Sequence, residues 1–277
     1  MLGDAPALPI VLVQVVASLA VIAPIAAIRR RLPRLSRDWR LGLPGLLQPG
    51  VSYALVFAGL ALIPAGVAGL LFATEAGLVA LAAWPLLGER PRPVVGLSIA
   101  ASSAGVALLA GAGSGAAMIA PLGIVLVLAG ILCAALDTVA SRALMTTADP
   151  LTMAVATHVA ALIAIAVLLA FSAPLDWRWL RAPALVARVA VAGVLLHGLA
   201  TVLFNVALQR ITAAAAASTF PLISLLTAIG GVTVLGERLS TGQWLGGGVI
   251  LAAMLLAGRD SAASPLIESP RRRAKAT

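Results

Sequence analysis

The chain has 277 residues, of which 61% are hydrophobic and 10% charged, and its formal net charge is +9 at pH 7. This composition, with a mean hydropathy of +1.09, excludes an ordinary soluble domain and predicts an all-α membrane protein that crosses the bilayer several times. Nearly all basic residues are arginines in connections and in the tail. The positive charge therefore indicates membrane topology and not a nucleic-acid partner.

About nine apolar stretches follow one another, most of them long enough to cross a hydrocarbon core of roughly 30 Å. They run from Leu8 to Ile28, Leu43 to Ile63, Ala65 to Leu86, Val94 to Gly111, Met118 to Leu144, Thr152 to Phe171, Leu185 to Leu208, Ala213 to Val234 and Trp244 to Ala257. Because these runs are continuous and do not alternate, they predict transmembrane helices and argue against a membrane β-barrel.

Six arginines crowd the connection after the first stretch: Arg29, Arg30, Arg31, Arg34, Arg37 and Arg40. Cytoplasmic loops carry an excess of basic residues, so this connection is predicted to be cytoplasmic. Alternation through the remaining stretches then places the C-terminus in the cytoplasm, with the protein in the cell (inner) membrane. Residues 259–277 are polar and basic, which predicts a disordered tail that contacts anionic lipid.

A polar tetrapeptide occurs twice, as Leu87-Gly88-Glu89-Arg90 and as Leu235-Gly236-Glu237-Arg238, each time between two apolar stretches. Aligned without a gap, the two copies pair Tyr53 with Thr201 and Phe57 with Asn205, which indicates an internal duplication. About five stretches separate the copies, and an odd number puts them on opposite sides of the membrane. Inverted repeats are typical of secondary transporters, whose halves rock around a shared central site.

The duplication divides the chain into a first repeat of four helices, residues 1–112, a second repeat of five helices, residues 117–258, and the tail. The first repeat is therefore expected to lack its opening helix. Either the start site lies further upstream or the protein is a shortened version of the full arrangement.

These features resemble the EamA-type branch of the drug/metabolite transporter superfamily. The resemblance is carried by Phe72-Ala73-Thr74-Glu75 and Phe220-Pro221-Leu222, each leading to a tetrapeptide, and by Cys133-Ala134-Ala135-Leu136 followed by Ser141-Arg142. Many relatives have Glu-Pro in the first repeat, whereas Glu75 is followed by Ala76. The resemblance implies two five-helix inverted repeats and movement of small metabolites, amino acids or drugs, often exported in exchange for protons.

Glu75 is the main candidate for proton coupling. It lies about ten residues from either end of its stretch, hence roughly 15 Å into the membrane at a rise of 1.5 Å per residue. An ionisable group at that depth is costly and marks a functional site by default, because it exchanges protons when an aqueous cavity opens. The alternative is a neutral glutamic acid that is hydrogen-bonded to a neighbouring helix.

A polar stripe is predicted on the seventh stretch, where His197, Thr201, Asn205 and Gln209 recur at every fourth position. The stripe is interpreted as one wall of the substrate pathway, and Tyr53 with Phe57 as an aromatic wall opposite it, an arrangement suited to an amphipathic solute. The alternative is hydrogen bonding between helices.

Two further candidates for the pathway are Gln14, a lone polar residue in the first stretch, and Pro221, which interrupts its helix near Ser218 and Thr219. Helix packing is the alternative for both. His158, near the end of its stretch, is predicted to lie at the membrane interface.

The acidic and basic residues of the tetrapeptides, Glu89, Arg90, Glu237 and Arg238, are predicted to fix turns and not to touch the substrate. Such side chains at a helix end satisfy exposed backbone groups and anchor that end in the interface. Glycines at 242 and 246–248 give the last helix a smooth face, which suits packing inside the bundle or a homodimer.

No spacing typical of a zinc site or a phosphate-binding loop occurs, so no metal, cofactor or catalytic residue is predicted. A secondary transporter accounts for the repeats and the short connections. One alternative is an intramembrane enzyme, which would need a Ser/His pair or paired acids, whereas the candidate residues lie scattered in the sequence. The other alternative is an accessory membrane subunit that needs a partner because its first helix is missing.

Overall fold

A computed structural model of the chain describes residues 7–90, 93–111, 120–172 and 175–262. Over these ranges the chain is helical and contains no strand. Met118, where the sequence predicts the start of the fifth helix, and the tail from residue 263 onward lie outside the described residues.

Helices α1 to α9 occupy the nine apolar stretches. Among the described residues, seven helices are long and apolar enough to cross a membrane: α1 Ala7–Ile28, α2 Trp39–Leu60, α3 Ala65–Leu87, α5 Pro121–Met145, α6 Pro150–Ala170, α7 Pro183–Leu208 and α8 Ala213–Val234. The other two, α4 Pro93–Gly111 and α9 Thr241–Ala262, contain shorter apolar segments. A short helix, Leu35–Asp38, and a single turn, Arg178–Arg181, lie in connections. The prediction of an all-α polytopic membrane protein is therefore confirmed.

Helix caps shift two boundaries from their predicted positions. α6 starts at Pro150 because the Asp149 carboxylate accepts hydrogen bonds from the N–H groups of Leu151 and Thr152, both at 3.1 Å. α9 starts at Thr241, after a capping box in which the backbones and side chains of Ser240 and Gln243 bond reciprocally at 2.8 and 3.2 Å. α9 also runs on to Ala262, so the first residues assigned to a disordered tail are helical.

Two of the long helices are broken near their middle. α3 consists of Ala65–Phe72 and Glu75–Leu87, and α8 consists of Ala213–Ala217 and Phe220–Val234. The break in α8 lies beside Pro221, as the sequence predicts, and the proline occupies the first turn of the second part, where no N–H donor is needed. The break in α3 contains no proline, and no sequence signal predicted it.

The internal duplication is visible in the local backbone. In the ungapped alignment that pairs Tyr53 with Thr201, the regular segments Ser52–Leu60 and Ala200–Leu208 correspond to each other. The segments before them differ, because Leu46–Val51 contains a kink at the non-helical residue Gln48 and Val194–Leu199 is a continuous wide turn. Gly88 and Gly236 both have positive φ, 72° and 68°. The two copies therefore share a helical segment and a turn conformation, which supports the duplication; their inversion across the membrane remains a prediction.

The helices form two compact units, each drawn from both predicted repeats. Unit 1 comprises Met1–Ala54 and Ala140–Gln209, and unit 2 comprises Leu55–Val139 and Arg210–Thr277. In unit 1, α1 packs against α6 and α7, and α6 also packs against α2. This packing buries one apolar cluster, which contains Ile22, Ala26, Ala154 and Val155.

Unit 2 is held together by the pairs α4 with α9 and α3 with α8. Its larger core brings α3, α5, α8 and α9 together and contains Val67, Leu70, Leu71, Val127, Ile131, Ala228 and Ile250. On α9, Gly247 lies against the Leu70 side chain, and the Gly246 carbonyl lies next to Gly105 of α4. At these two glycines the smooth face of α9 serves packing inside the unit.

Candidate functional site

Unit 1 brings together three residues that the sequence assigns to the substrate pathway. The Nε2 atom of His197 lies 3.3 Å from the Oε1 atom of Gln14, and the ring of Tyr53 lies 5.6 Å from that of His197, centroid to centroid, at an angle of 55°. Since a side-chain amide oxygen only accepts hydrogen bonds, His197 Nε2 is the donor. Gln14, Tyr53 and His197 come from α1, α2 and α7, so their meeting depends on the tertiary structure.

His158 joins this group, while its predicted place at the membrane interface stays a prediction. It lies within α6 and is 4% exposed. Its Nδ1 atom lies 2.7 Å from the carbonyl oxygen of Ala154, and its Nε2 atom lies 2.8 Å from Ser18 Oγ. A carbonyl oxygen only accepts, so we infer that Nδ1 carries a hydrogen and that Nε2 of the neutral ring accepts from the Ser18 hydroxyl.

Two glycines of α7 let α1 approach closely at this point. A Cβ atom on Gly193 would overlap the backbone of Gln14, and one on Gly198 would lie 2.9 Å from Ser18 Oγ. Gln14, Ser18, Tyr53, His158 and His197 are called the histidine cluster below. From the sequence, neither Ser18 nor His158 was assigned to the pathway, although the spacing of four residues between Gln14 and Ser18 was a signal that these two share one face of α1.

The remaining residues of the predicted stripe tie the end of α7 to the start of α6. The amide nitrogen of Asn205 donates to the Pro150 carbonyl at 3.2 Å, and that of Gln209 donates to the Ala148 carbonyl at 2.9 Å. Thr201, between them and His197, is partly exposed. The contacts of Asn205 and Gln209 are those of the helix-packing alternative, and their role in the pathway remains a prediction.

Glu75 lies in unit 2, as the first residue after the break in α3, and is 8% exposed. Among the described residues its carboxyl has no ion-pair partner. The Asp137 carboxyl on α5 interacts with it electrostatically. Around the two acids, Ala76 and Val79 of α3 share an apolar cluster with Ala135 and Val139 of α5. Within the described part of the chain, the Glu75 carboxyl therefore interacts with a second acid and forms no ion pair.

The other two predicted pathway residues also belong to unit 2. Phe57 is partly buried in α2, and Pro221 is buried at the start of the second part of α8. Near Pro221, the hydroxyls of Ser218 and Thr219 donate to carbonyls of the preceding turn, at 2.7 and 2.9 Å, and so satisfy acceptors where the helix is interrupted.

Glu237, in the second tetrapeptide, caps a helix other than its own. Its carboxylate accepts hydrogen bonds from the N–H groups of Ala65 at 2.7 Å and Gly66 at 2.6 Å, in the first turn of α3. A carboxylate is stabilised there by the exposed N–H groups and the helix dipole. Two glycines, Gly66 and Gly231, lie beside this carboxylate. The other repeat has alanines at the equivalent positions, Ala214 and Ala83. Glu237 therefore links the turn between α8 and α9 to the start of α3.

Gly231→Ala is expected to destabilise the protein, whereas the neighbouring Gly230→Ala is not. A Cβ atom on Gly231 would lie 2.7 Å from Glu237 Oε2 and 3.0 Å from the Gly66 nitrogen, while one on Gly230 meets nothing within 4 Å. Overpacking of this kind costs about 1–3 kcal/mol, whereas alanine at an open helical site gains roughly 0.5–1 kcal/mol over glycine. Thermal unfolding in detergent measures both changes. Equal melting temperatures for the two variants would contradict the cap.

The profile of the EamA-like transporter family matches residues 1–111 and 121–259. A solved structure, described only as the crystal structure of a protein, is similar with a TM-score of 0.66 and 20% sequence identity, over 94% of this chain and 89% of the other. At that identity the likeness shows the fold alone. No curated protein matches the sequence. Because the family profile covers most of the chain, this multi-pass membrane protein belongs to the EamA-like transporter family of the drug/metabolite transporter superfamily.

Proposed function

We propose that this transporter exports small metabolites, amino acids or drugs across the inner or plasma membrane by alternating access, in exchange for protons, with its C-terminus in the cytoplasm. The observation that carries the proposal is the buried carboxyl of Glu75, which lies at a break in a membrane helix and has no ion-pair partner among the described residues.

A charged side chain at the bilayer centre costs about 2.5–3.5 kcal/mol on insertion scales. A carboxyl that is kept there without a cation avoids this cost by binding a proton. Broken helices form the central sites of many secondary transporters, because their freed backbone groups line the cavity. Glu75 directly follows such a break, so a change of access there would expose its carboxyl to water and release the proton.

The histidine cluster supports a polar contact for the solute. It combines the amide of Gln14, the imidazole of His197 and the aromatic face of Tyr53. Such a set binds a solute with both an apolar surface and hydrogen-bonding groups. We therefore include Gln14, Tyr53, His197 and the neighbouring Thr201 in the proposed pathway.

The hydrogen bond between Ser18 and His158 bears on the enzyme alternative, because a histidine that accepts from a serine hydroxyl is the arrangement that activates a nucleophile. Ser18, however, is 0% exposed. A substrate has no access to its oxygen in this conformation, so the pair does not favour catalysis over transport.

The test is counterflow and uptake in proteoliposomes over a panel of amino acids, amines and amphipathic drugs, with and without a pH gradient. At least one solute is expected to show saturable counterflow, and an opposing proton gradient is expected to drive its accumulation. Flux that ignores the gradient would exclude proton exchange. No flux for any solute, alongside hydrolysis of one of them, would replace the transporter by an enzyme.

A further inference from the structure

The chain has two histidines, His158 and His197, and both contact the same face of α1. Ser18 Oγ lies 2.8 Å from His158 Nε2 on α6, and Gln14 Oε1 lies 3.3 Å from His197 Nε2 on α7. Residues four apart lie on the same side of a helix, so consecutive turns of α1 bridge the two imidazoles. Gly198, the residue after His197, also lies close to the Ser18 hydroxyl that contacts His158, since a Cβ atom there would be 2.9 Å from Ser18 Oγ.

We propose that His158 and His197 form a proton-binding site that takes up one proton before a second, is bridged by Ser18 and Gln14, and is separate from Glu75. Imidazole is the side chain whose charge ordinarily changes between pH 5 and 8. When two such groups lie close together, the first positive charge opposes the second, so the pair titrates in two separate steps.

The hydrogen bonds assign the first proton to Nε2 of His158. In the neutral ring, Nδ1–H donates to the Ala154 carbonyl and Nε2 accepts from the Ser18 hydroxyl. When Nε2 gains a proton, it donates to the same Ser18 oxygen, since a hydroxyl both donates and accepts. The imidazolium then has an acceptor at each nitrogen without any movement of the backbone.

Charged groups on the surrounding helices do not compensate the pair. The elements packed against the two histidines carry Arg40 on α2 and Arg188 on α7, and both are exposed. α1 carries no ionisable side chain. At the start of α6, Asp149 is already paired with Arg31 at 3.7 Å. In the described part of unit 1, no carboxylate therefore lies beside the pair, and the further titratable side chain in contact with it is Tyr53, whose ring lies 5.6 Å from that of His197.

The experiment is nitrogen NMR of the full-length protein in lipid nanodiscs. The protein is labelled at histidine only, so the signals come from His158 and His197. Near pH 8 both rings are expected to be neutral, with His158 as the Nδ1–H tautomer. On acidification His158 is expected to titrate first and His197 at least about one pH unit lower. His158→Gln is expected to raise the midpoint of His197, because the competing positive charge is gone.

Ser18→Ala is expected to lower the midpoint of His158, because its cation loses an acceptor, whereas Ser103→Ala on an exposed face of α4 is the matched control and leaves both midpoints in place. Independent titration of the two rings, an unchanged His197 midpoint in His158→Gln, or two rings that stay neutral down to the pH of unfolding would each overturn the proposal. None of these readouts requires transport, so they are independent of the role of Glu75.

Discussion

Glu75→Gln is expected to abolish proton-driven accumulation of solute while leaving solute counterflow in place. The amide has nearly the shape of the carboxyl but cannot bind and release a proton in the physiological range, so the step that couples solute movement to the gradient is lost. The carboxyl is 8% exposed and has no ion-pair partner among the described residues, so its replacement leaves no buried cation behind. Uptake into proteoliposomes with and without an imposed pH gradient measures the loss.

The control for this variant is Asp176→Asn, which also removes one carboxylate. Asp176 is paired with Arg178 at 2.8 Å in an exposed connection outside the spans, so its loss is expected to leave the transport rate and its pH dependence unchanged. Glu75→Asp keeps a titratable group and is expected to retain part of the coupling. If Glu75→Gln accumulates solute against its gradient as the unmodified protein does, Glu75 is a structural residue and proton coupling must be sought elsewhere.

Gly193→Ala is expected to destabilise unit 1 and to separate His197 from Gln14. The new Cβ atom would overlap the backbone of α1 at Gln14. A shift of packed backbone costs more free energy than a rotation of a flexible side chain. The cost of overpacking is about 1–3 kcal/mol. The melting temperature in detergent measures the destabilisation, and the NMR signal of His197 reports the separation from Gln14.

Gly248→Ala on α9 is the matched control, because a Cβ atom there meets nothing within 4 Å. Its helix gains roughly 0.5–1 kcal/mol from the loss of a glycine, so it is expected to melt at or slightly above the temperature of the unmodified protein. A Gly193→Ala protein that melts no lower than this control, with an unchanged His197 signal, would show that α1 and α7 are not in close contact.

The membrane class, the helices and the duplication could be read from the sequence because each depends on local pattern. Continuous apolar runs require helices in lipid, since every backbone polar group must be satisfied internally. The two Leu-Gly-Glu-Arg segments mark equivalent turns, and Gly88 and Gly236 do share a positive φ. Two of the boundaries that differ from the prediction are set by side-chain caps: Asp149 before α6, and the pair Ser240 and Gln243 before α9.

Contacts between residues distant in sequence were less predictable. The spacing of four residues from His197 to Gln209 predicted one polar face, yet His197 lies in an irregular wide turn and bonds to Gln14, while Asn205 and Gln209 bond to the start of α6. His158 was predicted to lie at the membrane interface, and its hydrogen bond to Ser18 of α1 had no signal in the sequence. Glu237 was expected to support its own turn, and instead it caps α3.

By itself, the sequence determined that this chain spans a membrane many times, and it predicted a duplicated unit and the place of Glu75 near the middle of one apolar stretch. Hydropathy and turn chemistry suffice for these conclusions because they act over a few neighbouring residues. Only the tertiary structure decided that α1 joins His158 to His197 and that Glu237 bonds to Ala65 and Gly66. Those contacts depend on which helices lie side by side and on where a glycine lets two backbones approach, and periodicity along one helix carries no information about its neighbour.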